Sequence, residues 1–110
     1  MARLTSEMWV AAYLARLRGE AIPAFLAAKG DATAGNVLVK VATMDGAAKL
    51  FECRYDMMAD RRSWEVTTEG PEGEVDASLA RQRGFDRDLW VVEVEDPKGR
   101  HLLDDPGLVR

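Results

Sequence analysis

Side chains able to do chemistry are few in this chain, and they are scattered. It has one histidine, His101, and one cysteine, Cys53. A zinc site needs several His, Cys or carboxylate ligands converging, and none is expected here. His101 has Asp104 and Asp105 near it in sequence, which reads as a paired surface imidazole. Cys53 falls on the apolar side of an alternating segment. A thiol in apolar surroundings resists ionisation, so a Cys-His nucleophilic pair is not expected either. Ser6, Ser63 and Ser78 carry no local signature of an activated nucleophile. Gly30 and Gly35 bracket a loop, but the Lys-Ser/Thr ending of a P-loop is missing and no helix follows. Arg61, Arg62, Arg81 and Arg83 lie close in sequence, and arginine favours bidentate pairing with carboxylates or phosphates. They form a possible anion patch, for a nucleotide or another small anion. Their plainer role is to pair with acidic neighbours.

Composition narrows the class. The chain has 110 residues, 47% hydrophobic and 31% charged, with a formal charge of −4. That length supports one domain, 1–110, with one core. The acidic balance gives no overall attraction to nucleic acid or to an anionic membrane. A single cysteine excludes an internal disulfide and suits a reducing compartment. The N-terminal Met1-Ala2-Arg3-Leu4-Thr5-Ser6-Glu7 does not read as a signal peptide. The stretch from Met8 to Leu17 is broken by Arg16 and is too short to span a bilayer. A cytoplasmic location is expected, and no cofactor is implied.

The elements that would position these residues follow from periodicity. Trp9, Tyr13 and Leu17, flanked by Val10 and Leu14, predict a helix over 6–18, capped by Thr5 or Ser6 and stopped by Gly19. A strand over 24–29 follows Pro23, and 30–36 is a loop. Val37, Val39 and Val41 share one strand face; Phe51, Cys53 and Tyr55 share one face of the next. A two-residue Asp45-Gly46 turn would set those faces apart, whereas an odd loop brings them together, and joint burial favours the odd loop. The other face then carries Lys40, Glu52 and Arg54 beside Leu38, Leu50 and Met44. Glu52 is expected to pair with Lys40 across the two strands.

Residues 57–63 read as a connection, 64–67 as a short strand and 69–73 as a turn. A second helix runs from 72 or 74 to 83 through Val75 and Leu79, stopped by Gly84, with Phe85 folding back. In 89–95, Trp90, Val92 and Val94 point one way and Val91, Glu93 and Glu95 the other. Residues 96–99 turn, and 101–110 form a tail packed through Leu102 and Leu103. The class is α+β, in the order α-β-β-β-β-α-β, with a largely antiparallel sheet and two helices packed on it.

Several segments carry a resemblance over nearly the whole chain. RLTSEMWVAAYLARLR, GDATAGNVLVKV, YDMMADRRSW, RQRGFDRDLWVVEVED and HLLDDPG together resemble a bacterial family of short stand-alone proteins, a domain-of-unknown-function family. The resemblance implies no activity, cofactor or catalytic residue. A second, weaker likeness concerns element order alone, which resembles the core of restriction-endonuclease-like nucleases. Those hold a divalent metal with one acidic residue and an acid-x-Lys motif. Glu52-Cys53-Arg54 stands in the motif's place, with Asp31 as the remaining acid. Arg54 cannot act as a base, Asp31 is early and in a loop, and the net charge disfavours DNA.

The expectation is therefore a non-catalytic accessory or protein-interaction module, in a homodimer or with an unidentified protein partner. Leu38, Met44, Leu50, Met57 and Met58 form its possible apolar contact patch. The alternative is a divergent metal-dependent nuclease using Asp31, Glu52 and Arg54.

Overall fold

A computed structural model describes residues 4–110; residues 1–3, the start of the segment read as lacking a signal peptide, lie outside the described residues. Helix α1 spans Ser6–Gly19, and Thr5 caps it by accepting from the Met8 amide at 3.2 Å. Trp9, Val10, Tyr13 and Leu17 form its buried stripe. The chain reverses not at Gly19 but at Ala21, whose φ is +56°.

Five strands make one sheet: β1 Ala24–Ala28, β2 Val37–Ala42, β3 Ala47–Asp56, β4 Arg61–Pro71 and β5 Trp90–Glu95. Their spatial order is β1-β5-β2-β3-β4. All neighbours are antiparallel except β2 and β5, which run parallel. Helix α2, Glu72–Phe85, connects β4 to β5.

The two helices cover opposite faces of the sheet. Val37, Val39, Val41, Phe51, Trp90, Val92 and Val94 pack with α1. Leu38, Leu50 and Val91 pack with Val75 and Leu79 of α2. Central strand β2 is therefore buried along its whole length. The tail closes the α1 side. Leu103 and Leu108 are buried, and the indoles of Trp9 and Trp64 both donate to the Leu108 carbonyl, at 3.2 and 2.9 Å.

The odd loop is present. Val39 stands opposite Phe51 and Ala42 opposite Ala48, and the Thr43 amide bonds the Ala47 carbonyl at 3.2 Å. Met44-Asp45-Gly46 forms the tip, with Met44 and Gly46 at positive φ.

Several expectations are corrected. Strand β4 is 11 residues long and takes in much of the expected connection and turn, ending at Pro71 on a sheet edge where the missing N–H costs no ladder bond. Helix α2 runs through Gly84, and Phe85 is exposed instead of folding back. Lys40 stands opposite Leu50 and Glu52 opposite Leu38, so the expected Lys40–Glu52 pair does not form.

Candidate functional site

The polar face expected around Lys40 is an internal site. Lys40 lies on the buried middle strand and is only 3% exposed. Its Nζ meets Asp76 Oδ1 at 2.6 Å, Glu72 Oε2 at 2.7 Å and Glu93 Oε1 at 3.1 Å. Glu72 and Asp76 are four apart on α2, hence on one helix face. Glu93 is the β5 residue directly beside Lys40 in the parallel ladder. Burial alone would lower the ammonium's pKa. The bonds from Asp76, Glu72 and Glu93 outweigh it and raise the value, so the site holds a charged ammonium. All three of its N–H directions have a carboxylate acceptor. The sequence signal was available: Lys40 sits amid an apolar strand, and Glu72 and Asp76 have helical spacing.

The residues of the nuclease alternative are spent on other contacts. Asp31 Oδ2 accepts from the Thr33 and Ala34 amides at 3.2 and 2.9 Å and so shapes its own loop. Glu52 pairs with Arg54 at 3.6 Å on a partly exposed part of β3, and Glu65 stands opposite it. Among the described residues, no three of His, Cys, Asp and Glu converge as metal ligands. Nothing in this geometry supports the nuclease alternative.

The expected apolar patch divides into three places. Leu38 and Leu50 are 1% and 0% exposed, because Val75 and Leu79 of α2 lie on them. They are core, and no partner can reach them. Met44 is exposed at the β2–β3 tip, while Met57 and Met58 are exposed beyond the other end of β3. A ten-residue strand separates these ends, about 30 Å at 3.3 Å per residue.

The arginines divide as well. Arg83 Nη1 donates to the carbonyls of Lys29, Arg87 and Leu89, at 3.4, 2.7 and 2.6 Å, and fastens α2 to the start of β5. Arg81 and Arg61 are exposed. Arg62 stands opposite Tyr55, two residues from Trp64, on the α1 face of the sheet. The sheet therefore separates Arg62 from Arg81 and Arg83.

His101 is half-buried and no surface imidazole. Its ring lies against Phe51, with centroids 4.5 Å apart, and Nδ1 accepts from the Leu103 amide at 2.9 Å. Burial lowers its pKa, against the pull of Asp104 and with help from Lys49. The Gly30–Asn36 loop closes on the α2–β5 connection. A Cβ on Gly30 or on Gly35 would meet the Asp88 carbonyl oxygen at 2.1 Å. These glycines admit a protein backbone, and that close approach is why they are glycine.

Similarity to known proteins places the whole chain. Residues 4–104 match the model of a protein family of unknown function, DUF1491. The crystal structure of a DUF1491 family protein from Caulobacter crescentus CB15 is 39% identical, with a TM-score of 0.81 over 94% of this chain and 95% of that one. An NMR structure of a DUF1491 family protein from the same organism gives 39% and 0.81 over 96% and 97%. A solution structure of a protein from A. tumefaciens is 35% identical, with a TM-score of 0.75 over 93% of each chain. A search of the curated proteins finds no match. With identity above a third along nearly the full length and the same fold, the chain belongs to the DUF1491 family of proteins of unknown function.

Proposed function

We propose that the chain is a non-catalytic interaction module that engages another protein, or a second copy of itself, through the tip of the β3–β4 hairpin. One observation carries the reading. Met57 and Met58 are adjacent, and they are 83% and 97% exposed. Neither belongs to either core cluster. Methionine adapts its shape to different apolar partners, and an exposed pair gains only when something covers it. Tyr55, also exposed, lies two residues before Met57 on β3 and donates to Asp60 across the hairpin tip. Met44, at the opposite end of β3, would be a separate contact.

A bacterial, cytoplasmic setting suits this reading, since Cys53 is a half-buried free thiol. No helix among the described residues is long and apolar enough to cross a membrane. The net charge of −4 argues against nucleic acid as the partner. The reading assigns no cofactor.

The test is to substitute Met57 and Met58 with Lys, separately and together. Surface changes of this kind stay within about 0.5 kcal/mol, so thermal unfolding should be unchanged. Self-association in sedimentation, or capture of a co-purifying protein, should fall. Unaltered association in the double variant overturns the hairpin-tip reading. DNA or RNA cleavage with magnesium that disappears in Glu52→Gln would overturn the non-catalytic one.

A further inference from the structure

The two edges of the sheet are built differently. Edge strand β4 carries Arg61, Arg62, Glu65 and Glu69, and charges on an edge discourage further pairing. Edge strand β1 is Ala24-Phe25-Leu26-Ala27-Ala28, with no charge at all. Phe25 is 45% exposed and Leu26 39%. They lie on opposite faces, Phe25 beside Glu93 and Leu26 beside Val92, and neither belongs to a core cluster.

The backbone of this edge is open in a defined pattern. The Glu95 amide donates to the Pro23 carbonyl at 2.9 Å, so Pro23 and, two residues on, Phe25 turn their polar groups towards β5. By alternation, the N–H and C=O of Ala24 and Leu26 point away from the sheet. The bulge after Leu26 ends the regular stretch. Ala24 and Leu26 therefore each offer a donor and an acceptor to a further strand.

We infer that this strand is a second copy's β1, paired antiparallel about a two-fold axis at Phe25. In that register Ala24 of either copy meets Leu26 of the other. These are the residues with open groups, so each such pair exchanges both N–H···O=C bonds. A surface that satisfies itself about a two-fold axis closes as a dimer and does not grow into a filament. The two Phe25 residues meet in a non-hydrogen-bonded pair, where strands approach most closely and aromatic pairs are favourable. Charge fits the same register: the Lys29 end of one copy comes beside the Glu20 end of the other, and both residues are exposed. An unrelated apolar strand would fill the hydrogen bonds without matching those ends. One short strand makes a small interface, so the dimer is weak. The hairpin tip belongs to the opposite edge of the sheet and stays free in this dimer, so the inference does not rest on that reading.

The experiment is sedimentation equilibrium of the full chain from micromolar to millimolar concentration, with amide hydrogen exchange by NMR at both ends of the range. A concentration-dependent dimer is expected. Exchange at the Ala24 and Leu26 amides should slow as concentration rises, whereas Phe25, bonded to β5 within one copy, is protected throughout. Phe25→Lys sets two ammoniums together at the axis and should weaken the dimer about tenfold or more. Ala24→Pro deletes an outward N–H that the single copy does not use, so it should weaken the dimer while the fold survives. Dispersed spectra will show that both variants are folded. The Met57→Lys, Met58→Lys double variant should dimerise like the parent. A parent that stays monomeric up to roughly 1 mM overturns the inference. A dimer that Phe25→Lys leaves intact, or one in which the Ala24 and Leu26 amides exchange as fast as in the monomer, overturns it too. A dimer lost in the double methionine variant belongs to the hairpin tip and likewise counts against β1.

Discussion

Lys40 Nζ on the middle strand lies 2.6 Å from Asp76 Oδ1 on α2, and this contact joins the sheet to the helix across an otherwise apolar layer. The layer contains Leu38, Leu50, Val75 and Leu79. A strand position that alternation marks as outward is thus inward, because α2 covers the second face of the sheet.

The acceptors, more than the lysine, should govern stability here. Removing all three carboxylate charges, by Glu72→Gln, Asp76→Asn and Glu93→Gln together, leaves a buried ammonium unpaired and should cost about 3–5 kcal/mol in urea unfolding. Lys40→Met should cost less, since Asp76 and Glu72 can turn to water. The raised pKa of Lys40 implies that its contribution is complete below the unfolded value of 10.5 and is lost only as pH rises through the folded one. A triple variant with the parent's urea midpoint would show that Lys40 is not buried as a cation.

His101 should make the protein acid-sensitive. Its folded pKa is lowered, so the unfolded chain takes up the proton first. The resulting stability is complete above the ordinary imidazole value of 6.5 and declines as pH falls from there towards the folded value. Urea unfolding should show a parent-minus-variant difference with His101→Gln that shrinks below that pH. A ring titration by NMR with a midpoint at or above 6.5 would contradict the lowered pKa.

Trp90 anchors the α1 face. It is 2% exposed, and its indole donates to the Asp31 carbonyl at 2.7 Å. Trp90→Ala should cost about 3–5 kcal/mol. Trp90→Phe, which mainly removes the hydrogen bond, should cost about 1 kcal/mol. Losses of the same size from both substitutions would mean that the bond, not the packing, dominates.

Gly35→Ala tests the close approach of two connections. The added methyl would collide with the Asp88 carbonyl, and overpacking of this kind costs roughly 1–3 kcal/mol. Gly73→Ala is the control, since nothing lies within 4 Å of a Cβ there and α2 should gain helix propensity. A Gly35→Ala protein as stable as the parent would show that the loop can move away from Asp88.

Much of this architecture was legible in the residues. The α1 stripe of Trp9, Tyr13 and Leu17, the shared face of Val39 and Phe51, and the alternation of Trp90, Val92 and Val94 all rest on burial that one face alone decides. What burial on two faces controls was harder to read. Leu38 and Leu50 looked like spare apolar surface because the position of α2 over them is a long-range property. Strand β4 was underestimated because Arg61, Arg62 and Ser63 carry no apolar alternation; their backbone is held by pairing with Arg54, Tyr55 and Asp56. The bulge near Thr67 breaks the remaining pattern. Of the arginines, nothing local indicates that Arg62 lines the same cleft as Arg110, which comes from the far end of the chain.

Strand β5 is the last to be made, yet it lies between β1 and β2. While the polypeptide is being synthesised, β1 has no neighbour and β2 has one open side until residue 95 is free. Of the sheet, a growing chain can pair the β2–β3–β4 meander and no other strands. Insertion of β5 then joins both parts in a single late event. That requirement for distant pairing predicts slow acquisition of the native state compared with a helical protein of this length. It also leaves the Val37–Ala42 segment, apolar apart from Lys40, exposed to other nascent chains for as long as the ribosome is still at work.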